Sequence, residues 1–255
     1  MPHLFRCGHN LSPEPFLKGG FGRRLTRQYR LFLFLTFLFF LVPVATIVTL
    51  RWLPVPFSSF MLIRQVERLG FGGNVPPIHY QWVNLEHVSP LMALAVIAGE
   101  DQRFLDHWGL DVQAIKQAID YNSSHARKMR GASTISQQTA KNLFLWGERS
   151  LLRKGMEAGL TLCLEILWPK KRILEVYLNI AEFGDGIYGV QAASVYLLHT
   201  SPAHLTRRQA ALLAAVLPNP RRFRADRPSS FVLGRAQWIE TNMARLGGTR
   251  YLDRL

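Results

Sequence analysis

Cysteine is scarce in this chain. Cys7 and Cys163 are the only two in 255 residues, and they show no spacing that resembles a structural zinc site. Acidic side chains are also few: 17 Asp+Glu stand against 31 Lys+Arg, a formal charge of +14. Such an excess points to anionic partners, whether nucleic acid, phospholipid or a phosphorylated substrate. No internal repeat or low-complexity segment occurs. After residue 85 there is no alternating strand pattern of any length. Hydrophobic residues make up 48% of the chain, ample for a core, but they are unevenly placed.

Charge is wholly absent from residues 31–50, "LFLFLTFLFFLVPVATIVTL", where only three threonines and one proline interrupt apolar side chains. Twenty helical residues rise about 30 Å, the hydrocarbon thickness of a bilayer. A cleaved signal peptide would have a shorter apolar region and a small-residue cleavage site; the "RWLPVPFSSF" that follows offers no good one. The expectation is a retained single-span anchor. Arg23, Arg24, Arg27 and Arg30 precede the span and only Arg51 follows it. The positive-inside bias therefore keeps the N-terminus in the cytoplasm and sends residues 51–255 across the membrane. In a bacterium that means a single-pass inner-membrane protein with a periplasmic domain. Nucleic acid drops out as a partner, and Cys7 and Cys163 fall on opposite sides, where they cannot pair. Cys163, within "LTLCLEIL", reads as a core residue.

Four regions follow from this. Residues 1–30 form a basic cytoplasmic tail, 31–50 the anchor, 51–88 a membrane-proximal segment and 89–250 one mainly helical domain. Residues 51–75, apolar and interrupted by prolines, either lie on the membrane surface or pack on that domain. Ser89-Pro90 is a helix start, and Asp111 is placed to cap "VQAIKQAI". Thr134 with Gln137, and Thr206 with Gln209, fit the capping-box spacing. Pro169 opens "KKRILEVYLNI", and a last helix at about 230–246 ends at Gly247-Gly248.

Several clusters carry chemistry. In "GEDQRFLDHWG" Glu100 and Asp101 close an apolar helix, and a desolvated carboxyl there would have its pKa raised toward the range of a general acid or base. The alternative is a solvated helix end, and His107 alone reads as structural. In "RGASTISQQTAKNLF" hydroxyl and amide groups precede Lys141, which shares a helical face with Gln138. Such donors suit sugar hydroxyls and phosphate oxygens, although a capping box with polar surface residues has the same look. In "ERSLLRKGMEAG" Arg149, Arg153 and Glu157 recur at i, i+4 and i+8, with Lys154 beside them. That row is either a salt-bridge ladder or a pyrophosphate clamp. Glu175 and Asn179 in "KKRILEVYLN" read as structural support, above a buried stripe of Ile173, Leu174, Tyr177 and Leu178. Glycines 184, 186 and 189 read as a tight turn and not as a phosphate loop, because no strand precedes them.

In this order "EDQRFLDHWG", "GASTISQQ", "RKGME" and "KKRILEVYLN" resemble the successive motifs of the peptidoglycan glycosyltransferase family, over about residues 89–220. That domain occurs in class A penicillin-binding proteins and in stand-alone transglycosylases. The anchor, and only 35 residues beyond 220, resemble the monofunctional members. The resemblance implies a lysozyme-like helical fold and lipid II as substrate. It also implies an inverting attack by an acceptor GlcNAc 4-hydroxyl on a growing glycan linked to lipid pyrophosphate. Carried over, Glu100 is the general base and Glu157 the second carboxylate, assisting at the donor or its leaving group. Lys141, Arg149, Arg153 and Lys154 become pyrophosphate contacts. Asp101, Phe104, His107, Thr134, Gln138 and Asn142 become groups that shape the site. No cofactor and no protein-held metal is expected, although a divalent ion could assist the pyrophosphate. Expected partners are lipid II, the nascent strand, the membrane and other wall-synthesis or division proteins.

The chain departs from the family at Ser136, where threonine is usual, and at Gln191, Val195, Leu197 and Thr200, which replace more polar or cationic positions. Two rival readings remain. A membrane-tethered hydrolase could use the paired carboxylates to cleave glycan, but a neutral polysaccharide needs no row of cations. An inactive scaffold of wall synthesis would have no need of Glu100 and Glu157.

Overall fold

The computed structural model describes residues 21–70, 75–124, 131–148 and 150–255. The expected tail before residue 21, with Cys7, and the site candidate Arg149 lie outside the described residues. The chain divides into two units, up to Val42 and from Pro43 onward.

In the first unit the described part is the beginning of helix α1 (Phe21–Leu50). Among the described residues, Arg27–Leu50 is the one helical stretch long and apolar enough to cross a membrane. Phe32, Phe34 and Phe37 leave more than half of their surface uncovered, as expected of a helix whose apolar faces are not spent on a protein core.

In the second unit the end of α1 is tied to the domain. Ile47 is fully buried and its carbonyl accepts from Trp168 Nε1 at 2.7 Å. Arg51 donates to the Leu167 carbonyl (2.6 Å) and Arg172 to the Leu50 carbonyl (2.8 Å). Helix α2 (Ser59–Gly70) buries Met61 and keeps Leu62, Val66 and Leu69 exposed. The membrane-proximal stretch therefore packs on the domain along one face and leaves another apolar face uncovered. Strand β1 (His79–Tyr80) comes next.

Helix α3 (Pro90–Glu100) is buried all round from Met92 to Ala98, which explains its uninterrupted apolar sequence. Ser89 occupies its N-cap position, but the hydroxyl donates to the Leu205 carbonyl (3.0 Å) and does not cap. After it come α4 (Val112–Ser124), α5 (Ile135–Phe144), α6 (Leu151–Leu167) and α7 (Lys170–Ile180). Asp111 caps α4 through the Ala114 amide (2.9 Å). Both capping-box bonds of Thr134 and Gln137 are made at the start of α5.

Strands β2 (Glu182–Gly184) and β3 (Ile187–Tyr188) form a hairpin at the expected glycine turn. β3 also pairs in parallel with β1, giving the order β1-β3-β2. Strands of two and three residues are too short for alternation to show in a sequence. The last helices are α8 (Gly189–Leu198), α9 (Arg207–Val216), which has the second capping box, and α10 (Ser230–Arg245). Helix α3 packs against both α9 and α10, which also pack on each other, while α5 packs on α6 and α7. The buried residues of these helices form one core. The architecture is mainly α, as the sequence implied.

Candidate active site

Glu100 is the last residue of α3, so the core helix that carries it ends where the chain turns away at Asp101. Its two oxygens are held from different elements. Gln138 Nε2 on α5 donates to Oε2 (2.9 Å), and Arg235 Nη2 on α10 donates to Oε1 (3.2 Å). Tyr177 on α7 in turn donates to Gln138 Oε1 (3.1 Å), which fixes the amide with its NH2 toward the carboxylate. Burial pushes the Glu100 carboxyl above its ordinary range, against the lowering effect of Gln138 and Arg235. Burial also raises Tyr177 well above a phenol's usual value, so it remains a donor. A desolvated carboxylate with two fixed donors is poised to take a proton.

Asp101, next to it, has different partners. Its Oδ2 accepts from the Ile135 amide at the start of α5 (3.0 Å), and its Oδ1 accepts from His107 Nε2 (2.9 Å). A carboxylate only accepts, so Nε2 carries the proton of that pair; His107 Nδ1 is buried without a partner. Thr134 donates to the Gly109 carbonyl (2.5 Å) while capping α5. Gly109 has φ +76°, and a Cβ there would lie 2.5 Å from Thr161 Cγ2, so only glycine fits. Phe104 is fully buried beneath the Lys170 ammonium, 4.6 Å from its ring centroid. Lys170 also bonds the His107 carbonyl and Glu165, both at 2.7 Å. Asp101, His107, Thr134 and Phe104 thus take part in pinning the 101–109 loop to α5, α6 and α7. Ser136, the mild departure, donates to Glu165 Oε1 (2.5 Å), which a threonine hydroxyl would also reach.

Glu157 on α6 leaves only 2% of its surface exposed. Arg153 Nη1 donates to its Oε2 (2.6 Å) and Lys154 to its Oε1. Arg153 is further fixed by the Glu148 carbonyl (2.6 Å). The Arg153–Glu157 pair is the i,i+4 contact that the spacing allowed for a ladder, here buried. Lys141, one turn from Gln138 on α5, lies 5.7 Å from the Phe60 ring centroid. Burial lowers its pKa most, and the negative charges of Glu157 and Glu100 pull it back up. Lys141 therefore feels the charge of both carboxylates. The Asn142 carbonyl accepts from Ser59 (3.0 Å), tying α2 to α5.

Glu100 opens into a hollow of about 370 Å³ with Arg103, Gln117, Ser133 and Trp238 on its walls. Oxygen and nitrogen atoms of Asp101, His107 and Asp111 lie within 4.8 Å of one another, the spacing of a metal-ligand group. Each carboxylate is already committed, however, Asp101 as above and Asp111 to Ala114 and Arg103 (3.3 Å). The trio serves to hold the loop. Glu175 and Asn179 clamp residues 83–85 through backbone bonds of 2.8–2.9 Å, the support expected of them. In α8, Val195 is exposed and Gln191 and Leu197 are half-buried, as is Thr200 just after the helix.

Arg235 has no counterpart among the sequence candidates. It lies 135 residues from Glu100 and enters through the crossing of α3 and α10, where a Cβ on Gly99 would come 3.2 Å from Ile239. Nothing local in "VLGRAQW" announces that contact.

A family model described as "Transglycosylase" matches residues 73–244. The chain is 56% identical over 200 residues to the biosynthetic peptidoglycan transglycosylases of Escherichia coli strains UMN026 and SMS-3-5. The alignment covers 78% of this chain and 83% of each relative.

Proposed function

Because this chain belongs to the transglycosylase family and is a peptidoglycan glycosyltransferase that builds glycan in cell-wall synthesis, we propose that it polymerises lipid II with Glu100 as general base. In this reading the acceptor GlcNAc 4-hydroxyl gives its proton to Glu100 as its oxygen attacks the anomeric carbon of the growing strand. The new C–O bond forms with inversion while the bond to the lipid pyrophosphate breaks, and the pyrophosphate leaves with the electron pair. Lys141, Arg153, Lys154 and Arg149 balance the charge that develops on it. Since cations already make the pyrophosphate a good leaving group, the base is the group the reaction needs most.

Glu157 acts on the donor side by holding Arg153 and Lys154 in place, and it shares them with the pyrophosphate when the donor arrives. The two carboxylates differ in environment, one against an apolar helix and one between cations, which separates their roles. The hydrophobic helix α1 anchors the protein in the inner membrane with its N-terminus in the cytoplasm and the catalytic domain in the periplasm. The uncovered apolar face of α2 lies toward the bilayer. That arrangement suits a substrate whose lipid tail never leaves the membrane.

The observation that carries this reading is the desolvated Glu100, held by Gln138 and Arg235, with Lys141 in the field of both Glu100 and the Arg153–Lys154–Glu157 cluster. Full-length protein in detergent, given labelled lipid II, is expected to yield long glycan and free lipid pyrophosphate. Release of fragments from mature cell wall, with no polymer from lipid II, would favour the hydrolase instead.

A further inference from the structure

Helix α10 presents an aromatic face beside the Glu100 hollow that the transfer mechanism leaves unused. Phe231 is 60% exposed and Trp238 46% exposed. At i and i+7 they share one face and lie about 10 Å apart along the helix axis, comparable with one disaccharide of a β-1,4 glycan. Gly234, between them on the same side, would have nothing within 4 Å of a Cβ, so the floor between the rings is open. Each ring is supported from the protein side. The Phe223 ring lies 5.1 Å from Phe231, and the Arg235 guanidinium 6.0 Å from the Trp238 ring.

A hollow of about 400 Å³ is bordered by Phe231, Gly234, Arg235 and Trp238. Trp238 also borders the hollow that holds Glu100, and Arg235 bonds Glu100 directly. The aromatic face is therefore continuous with the reacting carboxylate. An indole or phenyl face carries negative potential and attracts the weakly positive C–H face of a pyranose ring. We propose that the Phe231–Trp238 face of α10 is a sugar-binding shelf that seats successive pyranose rings of the glycan strand beside Glu100. This deepens, and rests on, the glycosyltransferase reading of the cleft.

The probe is chitotetraose, a lipid-free β-1,4-linked tetrasaccharide, titrated into full-length protein in detergent and followed by calorimetry. Trp238→Ala and Phe231→Ala are each expected to weaken its binding about tenfold, and Trp238→Phe to keep most of it. Thermal melts of all three variants report whether a loss comes from unfolding. No binding by the parent, or parental affinity in both alanine variants, would overturn the shelf. So would quenching by brominated lipids, in nanodiscs, of emission that disappears in Trp238→Phe, because Trp238 would then sit in the bilayer. Polymerisation of lipid II by the parent is scored separately, so a shelf that fails is not confused with a substrate that fails.

Discussion

Replacing Arg235 with methionine removes one of the two donors on Glu100 and keeps a similar apolar stem. The Arg235 side chain is 26% exposed and that of Glu100 12% exposed, with 3.2 Å between Nη2 and Oε1. A hydrogen bond to a charged group contributes about 1.5–3 kcal/mol, and the partial exposure of the guanidinium favours the lower end. About 1.4 kcal/mol is a factor of ten in ionisation. Arg235 lowers the Glu100 pKa against burial, so its loss raises that pKa and leaves less of the base ionised. The remaining groups around Glu100, namely Gln138, Asp101, Lys141 and Tyr177, stay in place. On the acid limb of a pH–rate profile for glycan formation, Arg235→Met is expected to be roughly tenfold slower than the parent. It should recover toward the parental rate as pH rises, and Arg235→Lys should fall between them. An acid limb that stays where it was, with activity lost equally at every pH, would refute this reasoning.

Three further predictions concern stability and the cation cluster. Burial raises the Glu100 pKa, so folding favours its protonated form: that contribution is full below the ordinary carboxylate range and is lost as pH rises through the elevated value. Glu100→Gln should therefore gain about 1 kcal/mol over the parent at neutral pH; denaturant titrations showing the same difference at every pH would oppose this. Gly109→Ala forces a Cβ to 2.5 Å from Thr161 at φ +76° and should cost about 3 kcal/mol, so an unchanged denaturation midpoint would contradict the close packing described here. Arg153→Ala leaves the buried Glu157 with Lys154 alone; we expect a loss of about 2 kcal/mol and a fall in kcat of about a hundredfold, and near-parental kcat would remove Arg153 from the leaving-group site.

What could be read in the sequence was mostly local. Thr134 with Gln137 and Thr206 with Gln209 are three residues apart, and their boxes form as the spacing says. The Arg153–Glu157 pair is likewise a one-turn contact. Glu100 at the end of an apolar helix was visible for the same reason. The contacts that give it chemical character were not, because Gln138 and Arg235 lie 38 and 135 residues away and depend on how α3 crosses α5 and α10. Asp101 could be placed near the site, but its bond to the Ile135 amide, 34 residues on, belongs to tertiary packing. Ser89 shows the converse: a sound local cap signal was overridden when Leu205 came within reach of its hydroxyl.

The most direct measurement of the central claim is glycan formation from labelled lipid II by full-length protein beside Glu100→Gln, with thermal melts to show that both are folded. Glutamine keeps the shape and can still meet Gln138, but it cannot accept the proton. The account predicts long polymer from the parent and a rate at least about a hundredfold lower from the variant at every pH. A folded Glu100→Gln protein that polymerises at the parental rate would contradict it.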